Sequence, residues 1–248
     1  MEDNPDLRSF TKSCLQSNYR ILEAENGEEG FEMAKKNIPD VIITDLMMPK
    51  MNGFEMCKKL REDEKTNHIF IIMLTVKSSE ESKQQGFEEG ADHYLTKPFN
   101  PKILNLRIKN SLNSREAYNN QMAKEIVTNK ILTKKKTKSK DELFLEKISN
   151  IVEKNISNSD FQIEDLCRGI GFSKSQLYRK LKSLVGQSGN EFIRTIRLKK
   201  AADLLLEENM NISEVTYKVG FNDLQYFRTC FKKQYGLNPS QYIQQYKN

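Results

Sequence analysis

The pattern Ile163-x-x-Leu166-x-x-x-Ile170-Gly171-Phe172 returns 49 residues later as Ile212-x-x-Val215-x-x-x-Val219-Gly220-Phe221. One extra residue in the second turn shifts the offset to 50, so Leu177 matches Phe227 and Leu181 matches Phe231. Gly186 then matches Gly236, and Phe192-Ile193 matches Tyr242-Ile243. Each copy reads as an amphipathic helix, a glycine-bearing turn and a second helix with apolar residues four apart. Two helices joined in this way form a helix-turn-helix, whose second helix is shaped to enter a major groove of DNA. One glycine turn between helices is common in any helical protein; two matched copies are specific. Between them, Glu191–Glu207 suits a helix of about 25 Å at roughly 1.5 Å per residue. It is apolar on more than one side (Ile193, Ile196, Leu198, Ala202, Leu205) and would hold the two units apart. Ahead of the repeat, Glu142–Asn155 reads as a helix with Leu143, Phe144, Ile148, Ile151 and Val152 inward.

The first 113 residues follow a different rule. Helices are expected from Pro5 to about Gln16, then over Gly27–Asn37, Phe54–Glu62, Glu80–Glu89 and Pro101–Asn113. Strand-like runs fall between them at Tyr19–Ala24, Val41–Asp45, Ile69–Thr75 and His93–Lys97. This alternation predicts an α/β domain with a doubly wound parallel sheet. Such sheets place ligands at the C-terminal ends of their strands. Asp45, Thr75 and Lys97-Pro98 each end an apolar run, and Glu2-Asp3 would join them with only Met1 ahead of the pair. Clustered carboxylates at Glu2, Asp3 and Asp45 repel unless a cation sits among them, and hard oxygen ligands with open water positions suit Mg²⁺. A carboxylate can attack phosphorus to give an aspartyl phosphate. The metal and a lysine ammonium would offset charge on the transferring phosphoryl oxygens, and Thr75 offers a hydroxyl to the same group. The bland alternative is an α/β domain with incidental acids.

Charge divides along the chain. Residues 1–113 carry 16 Lys and Arg against 19 Asp and Glu, residues 114–140 carry 8 against 2, and residues 141–248 carry 16 against 13. An acidic first half followed by a basic second half fits signalling coupled to nucleic acid, although a solvated surface would read the same way. Helical patterning continues from Ser114 through Ile131. The run Lys134-Lys135-Lys136-Thr137-Lys138-Ser139-Lys140 cannot build a core and reads as a solvated tether, or as a tail adding phosphate contacts. Cys14, Cys57, Cys167 and Cys230 are far apart, with only His68 and His93 to join them. That argues against a zinc site or a disulfide framework and predicts reduced thiols in cytoplasm. The longest apolar run, Ile69 to Leu74, is far too short to cross a membrane, so no membrane contact is expected.

Two stretches resemble known families. Asp45-x-Met47-Met48-Pro49-x-Met51-x-Gly53, Thr75 and Gly90-Ala91-Asp92-His93-Tyr94-Leu95-Thr96-Lys97-Pro98-Phe99 are similar to the receiver domain of two-component response regulators. The likeness covers roughly residues 1–115. It implies a flavodoxin-like fold with Asp45 as phosphoacceptor, and Glu2, Asp3, Asp45 and the Met47 carbonyl around Mg²⁺. It also implies Lys97 as phosphoryl partner, Thr75 with Tyr94 as a switch pair, a cis Lys97–Pro98 bond and a histidine kinase as phosphodonor. Two departures stand out. The family's first strand, central in the sheet, has no counterpart ahead of Glu2, and Val76 stands where the family keeps a smaller residue.

The stretch 142–246 resembles the AraC-type DNA-binding domain. The likeness is carried by Gln187-Ser188 before Glu191-Phe192-Ile193-Arg194, by Arg197-Leu198-Lys199-Lys200-Ala201-Ala202-Asp203-Leu204-Leu205, and by Tyr226-Phe227 through Asn238-Pro239-Ser240. It implies one monomer reading two successive major grooves of double-stranded DNA, and it admits a dimer on DNA. With Leu177, Leu181, Phe227 and Phe231 inward, the outward positions become Ser175, Tyr178 and Arg179, and Leu224, Gln225, Arg228 and Thr229. Arg and Gln pair bidentately with base edges; Lys174, Lys182, Lys232 and Lys233 suit phosphate contacts. Gly189 departs from the family's proline, which the internal partner Pro239 retains, so a looser start to the spacer helix is expected. Thr229 departs from the arginine matched at Arg179.

The sequence thus predicts a receiver at 1–115 lacking its first strand, a basic linker at 116–140 and an all-α domain with two helix-turn-helix units at 141–248. Phosphorylation at Asp45 would control DNA binding and transcription. The chain would also suit the C-terminal end of a hybrid sensor kinase, which would explain the absent strand. Without that strand, the receiver of residues 1–248 is expected to be poorly stable while the helical half folds. Competing readings are a DNA-binding regulator whose receiver is not phosphorylated, and a Mg²⁺-dependent phosphatase. The phosphatase reading suffers because Met47 occupies the position of that class's second acid.

Overall fold

The computed structural model describes residues 1–76, 90–127, 138–207 and 210–246; the expected helix over Glu80–Glu89 lies outside them. Two compact units divide between Asn119 and Asn120. In the first, helices α1 (Pro5–Leu15), α2 (Gly27–Asn37) and α3 (Gly53–Glu62) accompany strands β1 (Val41–Asp45), β2 (Phe70–Thr75) and β3 (His93–Thr96). A long helix α4 follows over Pro101–Val127. The strands are parallel in the order β1-β2-β3, with Asp45 level with Leu74 and Thr75 level with Thr96. Three strand ends therefore arrive at one edge of the sheet.

The apolar run of β2 needs two cores, and it has them. Ile71 and Met73 pack on one face with Ala34, Ile42, Met56 and Leu60. Ile72 and Leu74 pack on the other with Leu15, Leu95, Leu104 and Ile108. Burial on both faces is why the strand reads as continuous rather than alternating. Asn4, Asn26 and Asn52 cap the helices with their side chains, Asn52 in a reciprocal box with Glu55.

Tyr19–Ala24, expected as a strand, is not one. A segment becomes a strand only through a ladder partner, and the link seen here is a single bond from Glu2 N–H to the Ala24 carbonyl (3.2 Å). On its other side Met1 meets β1: its amino nitrogen donates to the Ile43 carbonyl (2.7 Å), and Asp45 N–H donates to the Met1 carbonyl (3.0 Å). Met1 and Glu2 thus lie between Ala24 and β1, where the family's first strand was expected to end.

The second unit is helical: α5 (Lys140–Lys154), α6 (Ile163–Ile170), α7 (Lys174–Val185), α8 (Gly189–Glu207), α9 (Ile212–Lys218), α10 (Leu224–Tyr235) and α11 (Pro239–Tyr246). The two repeats form two cores. The first gathers Phe144, Ile148, Leu177, Leu181 and Phe192, and the second Leu198, Leu204, Val215, Phe227 and Phe231. The repeated glycines, Gly171 (φ +69°) and Gly220 (φ +78°), take the left-handed turn between paired helices. The spacer α8 begins at Gly189, two residues earlier than expected. Ser188 and Glu191 form its cap, Glu191 accepting from both the Ser188 N–H and hydroxyl at 2.8 Å. Ile163 packs closely on Gly189, its Cδ1 lying 2.0 Å from where a Cβ at that position would fall.

The expected helix over Pro101–Asn113 and the helical patterning from Ser114 form one helix, described to Val127, whose last turns have a core of their own. Residues 120–127 belong to the second unit, where Met122 and Ile126 are 2% and 4% exposed in the core with Phe144 and Leu177. Truncating a buried methionine leaves a cavity costing about 2–5 kcal/mol. Met122→Ala should lower the melting temperature of the helical unit, and a fragment starting at residue 120 should melt above one starting at residue 138. Equal melting of the two fragments by circular dichroism would contradict this packing.

Candidate functional sites

Asp45 ends β1, and its Oδ1 accepts from the Leu46 N–H at 2.6 Å. Lys97 follows β3, anchored by its N–H to the Thr75 carbonyl at 2.8 Å, and the Lys97–Pro98 bond is cis as expected. The Lys97 ammonium lies 2.7 Å from both Asp45 Oδ2 and Glu2 Oε2, with the three side chains 12%, 7% and 6% exposed. Carboxylate oxygens of Glu2, Asp3 and Asp45 fall within 4.8 Å of one another. Burial pushes the Glu2 carboxyl above its ordinary pKa against the opposing Lys97 hydrogen bond. Burial also pulls on Lys97, but its hydrogen bonds to Asp45 and Glu2 outweigh that and hold its pKa above the ordinary lysine value. Three hard oxygen donors, with Asp3 exposed on the solvent side, match what Mg²⁺ requires.

Thr75 ends β2 fully buried, and Tyr94 is half-buried in β3, packed against the core of Met73 and Met56. Met47 is exposed on the loop after β1, as is Val76 after β2. Two further residues hold this loop system. Arg8 in α1 donates to the Glu2 and Asp3 carbonyls (2.8 and 3.3 Å), fixing the acidic turn. Gly53 permits close approach, since a Cβ there would lie 2.4 Å from the Asp45 carbonyl oxygen. Arg8 gives no periodic signal; Gly53 reads in the sequence as punctuation of the loop after β1, but its close approach to Asp45 does not.

Removing Lys97 leaves Glu2 and Asp45 adjacent without their cation, and breaking a buried pair in this way costs about 3–5 kcal/mol. Lys97→Met should therefore lower the receiver's melting temperature in chelator. Millimolar Mg²⁺ should raise it more in the variant than in the unaltered chain. Identical Mg²⁺ responses would show that the carboxylates do not depend on a cation.

In the helical unit, Ser175 and Tyr178 on α7 are exposed and Arg179 is half-exposed. On α10, Gln225, Arg228, Thr229, Lys232 and Lys233 are exposed, Thr229 bonding its hydroxyl back to the Gln225 carbonyl. Leu224 differs: it packs against the second core, because it lies three residues before Phe227 on the same helical face. Tyr226, which the pattern left without a role, is 51% exposed and its hydroxyl accepts from Arg194 (2.9 Å).

Residues 1–109 match the family model of the response regulator receiver domain, and residues 166–245 match that of a helix-turn-helix domain of AraC type. The chain is a receiver domain followed by a helix-turn-helix domain. It is 43% identical over 248 residues to histidine kinase P4 of Formosa agariphila, covering 99% of this chain and 18% of that protein. Over 110 residues it is 42% identical to the transcriptional regulatory protein SrrA of Staphylococcus aureus, covering 44% of each. The chain thus spans less than half the length of both relatives. The signal receiver domain of a signal transduction histidine kinase from Syntrophus aciditrophicus is similar at 30% identity, covering 46% of this chain and 87% of that one with a TM-score of 0.44. Among the described residues no helix is long and apolar enough to cross a membrane.

Proposed function

We propose that this chain is the receiver and output segment of a two-component response regulator, in which phosphorylation of Asp45 controls sequence-specific DNA binding and transcription. The observation that carries the reading is the Lys97 ammonium held 2.7 Å from the Asp45 carboxylate, in a chain that also carries a tandem helix-turn-helix. In the transfer, a carboxylate oxygen of Asp45 attacks the phosphorus of a phosphohistidine; the P–O bond forms, the P–N bond breaks and the imidazole leaves. Lys97 offsets charge on the phosphoryl oxygens, while Thr75 offers its hydroxyl and Tyr94 responds as the other half of the switch. Mg²⁺, held by Glu2, Asp3, Asp45 and the Met47 carbonyl, would supply further charge compensation. The phosphodonor is a histidine kinase, in the same polypeptide or another; the likeness to part of a protein named histidine kinase supports this. The compartment proposed is the cytoplasm.

Incubation with a small phosphodonor and Mg²⁺ should label the chain, and Asp45→Ala should abolish the label. Retained label in that variant overturns the assignment. In Mg²⁺, which offsets the carboxylates that Lys97 leaves behind, Lys97→Ala should keep the fold but slow the labelling or uncouple it from DNA binding.

On DNA, α7 and α10 act as recognition helices. Arg179, Arg228 and Gln225 read bases, with Ser175, Tyr178 and Thr229 beside them, while Lys232 and Lys233 hold phosphates. Arg179→Ala should cost about 1–3 kcal/mol on the preferred sequence and relax preference at one half-site. Lys232→Ala or Lys233→Ala should weaken all sequences alike and reduce the salt slope by about one. Equal losses for Arg179→Ala on preferred and random DNA would make it a phosphate contact.

A further inference from the structure

Arg197 sits where the spacer helix passes from one core to the other. On its N-terminal side Phe192, Ile193 and Ile196 belong to the first core; on its C-terminal side Leu198, Ala201, Ala202 and Leu204 belong to the second. The guanidinium forks between two carbonyls: Nη2 donates to Asn158 (2.6 Å) and Nη1 to Gly220 (3.0 Å). Each carbonyl is tied to a different core. Asn158 lies in the loop between α5 and α6, and its carbonyl also accepts from the N–H of Phe161, a residue of the first core. Gly220 lies in the α9–α10 turn between Val219 and Phe221, both of the second core.

The junction is tight as well as bonded. A Cβ at Gly220 would meet the Ile156 carbonyl oxygen at 2.6 Å and Arg197 Cζ at 3.0 Å. Ile156 itself packs against both cores. A planar fork can hold two carbonyls at a fixed separation, whereas a lysine ammonium is a single point on a flexible stem.

We propose that Arg197 is a positioning residue for two-site DNA reading, fixing the separation and rotational phase of α7 and α10. The inference rests on the DNA-reading function proposed above. Two half-sites in successive major grooves lie about 34–36 Å apart. Engagement of the second unit is then intramolecular and gains from the first only while the geometry matches. Loosening the fork reduces that gain without touching the residues that read either half.

The test uses the whole chain and DNA sites recovered from a random pool by the unaltered protein. Each site is also prepared with one half scrambled, and with the halves moved apart by about one base pair. Arg197→Lys should bind single halves within about twofold of the unaltered chain but lose about tenfold or more on intact sites. It should also discriminate less between the two spacings. Arg197→Met should do the same more strongly, and circular dichroism melting monitors the helical unit in both. The proposal is overturned if affinity falls by one factor on single and intact sites, if spacing discrimination is unchanged, or if both variants lose cooperative melting. If the unaltered chain recovers no site from the pool, the DNA-reading function fails and this inference fails with it.

Discussion

The receiver's acidic site rests on one compensation of charge: a lysine ammonium shared between Glu2 and Asp45, with all three side chains nearly buried. Glu2 and Asp45, both buried at the edge of a parallel sheet, would otherwise repel one another, and at low effective dielectric that repulsion is strong. The fold brings the cation there through register. Thr75 is level with Thr96, so the residue after β3 bonds to the end of β2 and its side chain turns back over Asp45. Under the proposed function the same ammonium passes from offsetting a carboxylate to offsetting a phosphoryl group.

The helical unit solves a different problem, which is holding two similar small bundles at one separation. The two repeats share α8, which gives Phe192, Ile193 and Ile196 to the first core and Leu198, Ala201, Ala202, Leu204 and Leu205 to the second. This accounts for a helix that is apolar on more than one side yet lies within a single compact unit. The end of α4 adds Met122 and Ile126 to the first bundle, so that bundle draws on residues well ahead of the repeat.

Much of this was legible in the sequence because the relevant signals are periodic. The 49-residue repeat located both glycine turns and both inward faces, and the apolar runs located β1, β2 and β3 within a residue. What escaped notice were contacts made by single polar side chains with main-chain carbonyls. Arg8 and Arg197 act on the backbone of distant segments, and no spacing rule marks an arginine whose partners are carbonyls. The start of α8 was legible and overlooked: Ser188-x-x-Glu191 is a capping box. Tyr19–Ala24 was misjudged because β-propensity describes a residue's fitness for a sheet, not the presence of a neighbour to pair with. Leu224, expected to face outward, is turned inward by its three-residue spacing to Phe227.

The central claim is that the state of Asp45 governs DNA binding. It is tested most directly by titrating the chain against a labelled DNA site, followed by fluorescence anisotropy, with and without a small phosphodonor in Mg²⁺. The account predicts a phosphodonor-dependent change in affinity for the unaltered chain and none for Asp45→Ala. The same change in both proteins, or none in the unaltered chain once its Asp45 is labelled, would contradict it.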